Sequence, residues 1–198
     1  MSEQRPERAD ALRNRHAILE AAEALVAAHG FDHVSIDKVA ATAGVGKGTV
    51  FRRFGNRTGL MRALLEERAR MLSEAIVSGP PPLGPGAPPE QRLPAFLDAL
   101  ASLATRNVSV LAAHERACPQ DKLSDPTYLR WHRHITALLG QARPDLDAEF
   151  YGHTLLAMFD ADLVRSITAN GGAARLAASL HDLADTILRA PARSRPVR

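Results

Sequence analysis

The segment from Ser35 to Phe54 restricts the possible folds of this chain more than any other, because it predicts two short helices joined by a tight turn. The first helix has a suitable N-cap in Ser35 and apolar residues at the i, i+3, i+4 spacing of one helix face. Gly44 ends that helix, since glycine adopts a left-handed backbone conformation without steric cost. The second helix is predicted to run from Lys47 to Phe54.

The second helix has one apolar face and one small, basic face. Val50 and Phe54 are predicted to point inward, and the other side chains point outward. A packed helix pair with a short glycine turn is the helix-turn-helix arrangement, in which the second helix lies in the major groove of DNA. The outward-facing residues are Lys47, Gly48, Thr49, Phe51 and Arg52.

The charge distribution also indicates a polyanionic partner. The whole chain has 25 Lys and Arg residues against 22 Asp and Glu residues, which is close to balance. The segment from Lys47 to Arg62, however, contains five basic residues and no acidic residue. A local basic patch is the electrostatic feature expected of a nucleic-acid-binding surface.

The rest of the chain predicts further helices and therefore an all-α fold. After a mobile arm, apolar residues recur at helical spacing from about Ala9 to His29, and Asn56 caps a long helix. A short helix is expected around Val108 to Ala117, and Asp125 followed by proline starts another. A single helix is then predicted to continue over residues 144–170 before the last one.

Two domains follow from this pattern. Residues 1–55 are predicted to form an N-terminal arm and a three-helix helix-turn-helix DNA-binding domain. Residues 56–198 are predicted to form a second, helical domain. The single cysteine is typical of a reducing cytoplasm, and no run reaches the roughly 18 apolar residues of a membrane span.

The N-terminal part closely resembles the DNA-binding domain of TetR-family transcriptional regulators. The matching stretches read ILEAAEALVAAHGF, SIDKVAATAGVGKGTVFRRF and GNRTGLMRALL, in the order and spacing of that family. The remainder, residues 56–198, is similar to the family only in its layout of helices, which implies a helical ligand-binding and dimerisation domain. The resemblance implies a homodimer that binds double-stranded operator DNA, usually as a repressor, and is released by a small-molecule effector.

The resemblance also implies roles for individual residues. Phe51 stands where the family often has tyrosine, so it packs against sugars or a thymine methyl instead of donating to phosphate. Gly48 allows the backbone to approach DNA closely. The implied DNA-binding residues are Ser35, Lys47, Gly48, Thr49, Phe51, Arg52 and Arg57.

Several polar and aromatic residues fall on the apolar stripes of the C-terminal part. Buried charges are costly unless they are paired, so such residues pair with each other, face solvent at a stripe edge or recognise a ligand. The aromatic residues can equally be plain core. The candidate ligand contacts are Arg68, Phe96, His114, Glu115, Tyr128, Trp131, Met158 and Asp162.

The last two long predicted helices carry leucine-rich stripes suited to dimerisation. Pairing these helices between two subunits would form a four-helix interface and set two recognition helices at matched half-sites. The candidate interface residues are Leu156, Phe159, Leu163, Ile167, Leu180, Leu183 and Ile187.

Three alternatives stand beside the ligand-responsive repressor. An enzyme on a helical bundle would need an acid, base or nucleophile set, and none of the common motifs is present. A regulator without a small-molecule ligand is the second. A metal or redox sensor through Cys118 is the third, because His114 and Cys118 have i, i+4 spacing but lack a third ligand. The sequence therefore predicts neither a metal site nor a cofactor.

Overall fold

The computed structural model describes residues 4–30, 33–108, 111–112 and 122–191, and within these ranges the chain forms nine α-helices and no strand. The predicted all-α class is confirmed. A short 3-10 helix, Lys122–Ser124, precedes the sixth α-helix. The helices are α1 (Gln4–His29), α2 (Ile36–Thr42), α3 (Lys47–Phe54), α4 (Arg57–Ser78), α5 (Pro89–Arg106), α6 (Pro126–Ala142), α7 (Ala148–Ala157), α8 (Ala161–Ala169) and α9 (Gly172–Arg189).

The chain divides into two compact units, Met1–Glu67 and Arg68–Arg198. In the first unit α1 packs on α2, and α2 packs on α3. The helix α1 begins at Gln4, so the prediction of a mobile arm before Ala9 is wrong for the described residues 4–8. The core of this unit includes Ile18, Ala22, Val26, Val34, Val39, Val50, Leu60 and Leu64, all buried.

The second unit is built around α5, whose apolar stripe is buried on several sides. The helix α9 packs along α5, while α6 and α8 contact other parts of it, and α7 packs on α6. Among the described residues, the helices lack the combination of length and apolar character that crossing a bilayer requires. Fully or almost fully buried side chains of this core include Leu93, Phe96, Leu97, Ile135, Leu139, Leu155, Leu176 and Leu180.

Two details of the helix predictions are wrong. The helix expected over residues 144–170 is two helices, because the chain breaks at Met158 and Asp160 caps the second one by accepting hydrogen bonds from the amides of Asp162 and Leu163. Met71, which the spacing of apolar residues along α4 predicts to face inward with Leu64 and Leu72, is 55% exposed. Most of the short helix predicted around residues 108–117 lies outside the described residues.

A buried arginine ties the end of α6 to the end of α9. The Arg143 guanidinium donates two parallel hydrogen bonds to Asp145, Nε to Oδ1 at 2.9 Å and Nη2 to Oδ2 at 2.8 Å. It also donates to the carbonyl of Ile187, one of the last carbonyls of α9. Both charged side chains are largely buried, at 8% and 17% exposure. Breaking such a pair leaves an uncompensated charge in the interior.

We expect Arg143→Met to lower the free energy of unfolding by about 3 kcal/mol, because it removes the arginine that pairs with Asp145 and deprives a helix-end carbonyl of its donor. Urea unfolding followed by circular dichroism measures the change. The matched control is Arg165→Met, which breaks the exposed Arg165–Asp162 pair and should cost less than about 1 kcal/mol. Equal losses of stability in the two variants would contradict the structural role of Arg143.

Candidate nucleic-acid interface and polar sites of the second unit

The helix-turn-helix forms where the sequence predicts it. Ser35 caps α2, and its hydroxyl accepts a hydrogen bond from the Lys38 amide at 3.3 Å. Gly44 follows the end of α2 with φ of +66°, the left-handed conformation expected of glycine at this position. The turn closes through a hydrogen bond from the Val45 amide to the Ala40 carbonyl at 3.0 Å. The predicted cap and turn are confirmed.

The recognition helix α3 presents the expected residues to solvent. Val50 is fully buried and anchors the helix, while Phe54 is half-buried beneath the Arg15 guanidinium, 5.6 Å from the ring centre. Phe51 is 57% exposed. Lys47, Gly48 and Arg52 are exposed as well, and Ser35 and Thr49 are half-buried.

Two glycines near α3 have opposite environments. A Cβ atom on Gly48 would meet no atom within 4 Å, and the residue has no positive φ. The chain itself therefore does not require glycine there. A Cβ atom on Gly59 would lie 2.0 Å from the Phe54 carbonyl oxygen, so glycine is required where α4 approaches the end of α3. Asn56 caps α4 by accepting from the Gly59 amide at 2.9 Å, as predicted.

Lys47 and Arg57, two of the basic residues predicted to contact DNA, have partners within the first unit. Lys47 Nζ lies 2.8 Å from Asp37 Oδ1, in a pair whose side chains are both more than 60% exposed. Arg57 is half-buried, and its Nε donates to the Val34 carbonyl at 2.8 Å. Arg57 thus connects the start of α4 to the chain before α2, a structural role that helix periodicity did not reveal. Its contact with phosphate stays a prediction.

The candidate ligand residues are scattered through the second unit. Phe96 is fully buried and makes an edge contact with Trp131, whose indole donates to the buried Ser73 hydroxyl at 3.2 Å. Arg68 is half-buried and donates to Asn107 Oδ1 at 2.9 Å. Met158 packs at the edge of the core. Asp162 is an 83% exposed side chain paired with Arg165, and His114 and Glu115 lie outside the described residues.

Sequence reasoning missed two polar groups beside Phe96. His134 makes an edge contact with the Phe96 ring, with 4.9 Å between centroids. Burial, together with the nearby Arg92 charge, lowers the pKa of His134 from 6.5 to about 4, so the imidazole is neutral at neutral pH. His134 Nε2 and Arg92 Nε are both buried with no hydrogen-bond partner among the residues that the structure describes. The signal in the sequence was the position of His134 between Trp131 and Leu138 on one stripe.

A second polar group lies on another face of α6. Tyr128 Oη is 2.6 Å from His153 Nδ1, and burial raises the pKa of the Tyr128 phenol, which therefore stays protonated. The rings of His132 and His153 stack with 3.9 Å between centroids. Tyr128 thus belongs to a cluster of aromatic rings with nitrogen atoms, which residue spacing along one helix could not reveal.

The seven predicted interface residues do not share one environment. Leu163 is 37% exposed, and Ile167 and Leu183 are half-buried. The other four pack inside the core of their own chain, because the same stripes that could pair two subunits also pack α7 on α6 and α9 along α5. Those four are Leu156, Phe159, Leu180 and Ile187.

The helix-turn-helix geometry agrees with the comparison to known proteins. Residues 18–64 match the model of the tetR family of bacterial regulatory proteins. Residues 18–64 are therefore similar to the DNA-binding domain of the TetR family. The match includes α2, α3 and the start of α4, and so covers each residue that was predicted to contact DNA.

Individual proteins resemble this chain in part of its sequence or in its fold. The chain is 40% identical over 73 residues to the HTH-type transcriptional repressor LfrR from Mycolicibacterium smegmatis, a match that spans 37% of this chain and 38% of that protein. A transcriptional regulator from Rhodococcus sp. Rha1 has the same fold, with a TM-score of 0.62, 20% identity, and coverage of 88% of this chain and 96% of that one. A protein from Saccharomonospora viridis, solved in complex with choline, has a TM-score of 0.59 and 20% identity, and the match covers 85% of this chain and 94% of that one.

The two glycines give a matched pair of stability predictions for the TetR-family domain. Gly59→Ala should lower the free energy of unfolding by about 1–3 kcal/mol, because the new methyl group collides with the Phe54 carbonyl. Gly48→Ala should raise it by about 0.4–1 kcal/mol, because alanine restricts the unfolded chain without a clash. Thermal and urea unfolding of both variants measure the changes. Destabilisation by Gly48→Ala would contradict the open environment of that residue.

Proposed function

We propose that the protein is a transcriptional repressor that binds double-stranded operator DNA as a homodimer and is released by a small-molecule effector. The observation that carries the proposal is the outer face of α3. This face exposes Lys47, Gly48, Phe51 and Arg52. The space beside Gly48 is open, and no contact within the chain requires glycine at that position. A regulator of this kind acts in the cytoplasm and is not an enzyme.

The proposed contacts follow from the positions of the side chains on α3. Gly48 brings the helix backbone close to the edge of the groove, where the amides of the first turn can donate to a phosphate. Thr49 reaches base edges or phosphates, and Phe51 contacts a sugar or a thymine methyl group. Arg52 is exposed and binds a phosphate. Ser35 is half-buried at the start of α2, and its hydroxyl can donate to a phosphate of the DNA backbone.

The pair between Lys47 and Asp37 is compatible with DNA binding by Lys47. An exposed ion pair is worth about 0–1 kcal/mol, so exchanging Asp37 for a phosphate costs little. Arg57, at the start of α4, donates from Nε to the Val34 carbonyl, and the proposed phosphate contact is made by the same guanidinium group. The domain boundary predicted from sequence places Arg57 just outside the DNA-binding domain, but its hydrogen bond to Val34 joins it to that domain.

Only part of the predicted leucine stripes has surface available for a homodimer interface. Of the seven residues, Leu163, Ile167 and Leu183 retain surface on α8 and α9. A two-fold interface that uses these helices would place two copies of α3 at matched half-sites.

The effector proposal rests on Arg92 and His134. Buried nitrogen atoms without a partner are costly, and they become satisfied if a bound molecule supplies an acceptor oxygen. The adjacent Phe96 and Trp131 rings offer apolar contact. We propose an effector with a carboxylate or carbonyl group next to an apolar part. The choline complex of the relative from Saccharomonospora viridis supports a small organic molecule as the general class of ligand.

Arg52→Ala should weaken binding to every DNA sequence, because it removes a charge that pairs with phosphate. It should also reduce the salt dependence of binding, by about 0.9 in the log–log slope for each phosphate that the variant no longer neutralises. Fluorescence anisotropy with labelled promoter DNA, titrated at several salt concentrations, measures both quantities. Gly48→Ala, which keeps all charges, should weaken specific binding and leave the slope unchanged.

The control for Arg52 is Arg133→Ala, which removes an equally exposed arginine from the second unit and should leave DNA binding nearly unchanged. A loss of affinity confined to one operator position in the Arg52 variant would contradict a phosphate contact. If the protein bound random and promoter DNA equally well at physiological salt, the proposed specific repressor would be wrong.

An effector that needs Arg92 should bind at least about tenfold more weakly to Arg92→Met, which removes one charge-assisted hydrogen bond. The probes are aliphatic and aromatic carboxylates with their uncharged amides, and the readouts are emission of Trp131, the single tryptophan, and release of DNA. Arg106→Met, on the exposed end of the same helix, is the control. Carboxylates that release DNA from both variants with equal potency would contradict this site.

A further inference from the structure

Three side chains with metal-binding atoms converge between α6 and α7. His132 belongs to α6, and Glu149 and His153 belong to α7. One ligand atom from each of the three lies within 4.8 Å of the other two. Glu149 and His153 are four residues apart and therefore share one face of their helix. Ligand spacing along a single helix could not reveal this group, because the third ligand comes from the neighbouring helix.

A glycine makes the convergence possible. Gly152 is buried, and a Cβ atom there would lie 2.9 Å from both His132 Nε2 and Thr136 Oγ1. A larger residue there would displace the His132 or Thr136 side chain from its present position. The Thr136 hydroxyl is buried and has no hydrogen-bond partner in the described part of the chain. A polar atom of this kind beside His132 is suited to hold a water molecule bound to an ion.

Neighbouring groups already orient both histidines. Tyr128 Oη is hydrogen-bonded to Nδ1 of His153 at 2.6 Å, which leaves Nε2 as the nitrogen available to an ion. His132 Nε2 donates to the backbone carbonyl of Glu149 at 3.2 Å, which holds this ring against α7 and leaves Nδ1 as the nitrogen available to an ion. Hydrogen bonds from outside the ligand set are the usual means by which proteins fix the orientation of metal-binding histidines.

We propose that His132, Glu149 and His153 form a binding site for a divalent ion of the zinc class. Two imidazoles and one carboxylate are a set that zinc binds at about 2.0–2.2 Å, with water as a fourth ligand, whereas magnesium and calcium prefer oxygen ligands alone. His132 is buried and gives the site a fixed point. Glu149 is an exposed, flexible side chain that can close on the ion. The ion would link α6 to α7 by bonds that the protein alone does not make.

The test uses the full chain without a histidine tag, treated with chelator and then titrated with Zn²⁺ by calorimetry and with Co²⁺ by visible absorption. We expect one ion per chain, a higher melting temperature with Zn²⁺, and the intense absorption of four-coordinate Co²⁺. Glu149→Gln and His153→Asn should each weaken binding by more than about tenfold. Tyr128→Phe, which removes only the orienting hydroxyl, should weaken it by about 10–100-fold.

Two controls separate this site from other possible ligands. His181→Asn removes an exposed histidine of α9 and should leave binding unchanged. Cys118→Ser should leave it unchanged as well, because Cys118 is not one of the three ligands. Circular dichroism confirms that each variant is folded, and Glu149→Gln, which alters an exposed side chain, serves as the decisive variant. Absence of Zn²⁺ binding, unchanged binding in Glu149→Gln, or loss of binding in Cys118→Ser would each overturn the proposal.

Discussion

The recognition helix depends on a contact between two backbones. The α-carbon of Gly59 lies so close to the Phe54 carbonyl that no side chain fits between them. Asn56 caps the helix at the same point, and Arg57 reaches back to the chain before α2. Together these contacts fix the end of α3 without using its outer face. The exposed residues Gly48, Phe51 and Arg52 of α3 take no part in these contacts.

The fold could be predicted where local chemistry determines it. Ser35, Gly44 and Asn56 act within a few residues of themselves, so capping and turn rules found them. Patterns of apolar residues could not show whether Leu156 or Leu180 packs within one chain or between two, because both environments are apolar. They also concealed the break at Met158, since apolar residues keep their helical spacing across it.

The polar sites of the second unit could not be predicted for a different reason. Each is assembled from residues on separate helices, and Arg143 binds a carbonyl 44 positions further along the chain. Helix α6 contributes to two of these sites through residues only two positions apart. His132 faces α7, whereas His134 contacts Phe96 of α5. A single rigid helix thus carries the proposed metal ligand on one side and the proposed effector contact on another.

The ion pair between Asp37 and Lys47 bears on how the proposed repressor would search the chromosome for its operator. Asp37 supplies Lys47 with a built-in counterion, so part of the positive charge of α3 is neutralised before DNA arrives. Binding to random DNA draws its free energy mainly from phosphates and released salt ions, and it is weakened most by such internal neutralisation. Contacts with base edges are unaffected. In the proposed repressor, an acidic residue beside α3 would therefore lower the affinity for random DNA.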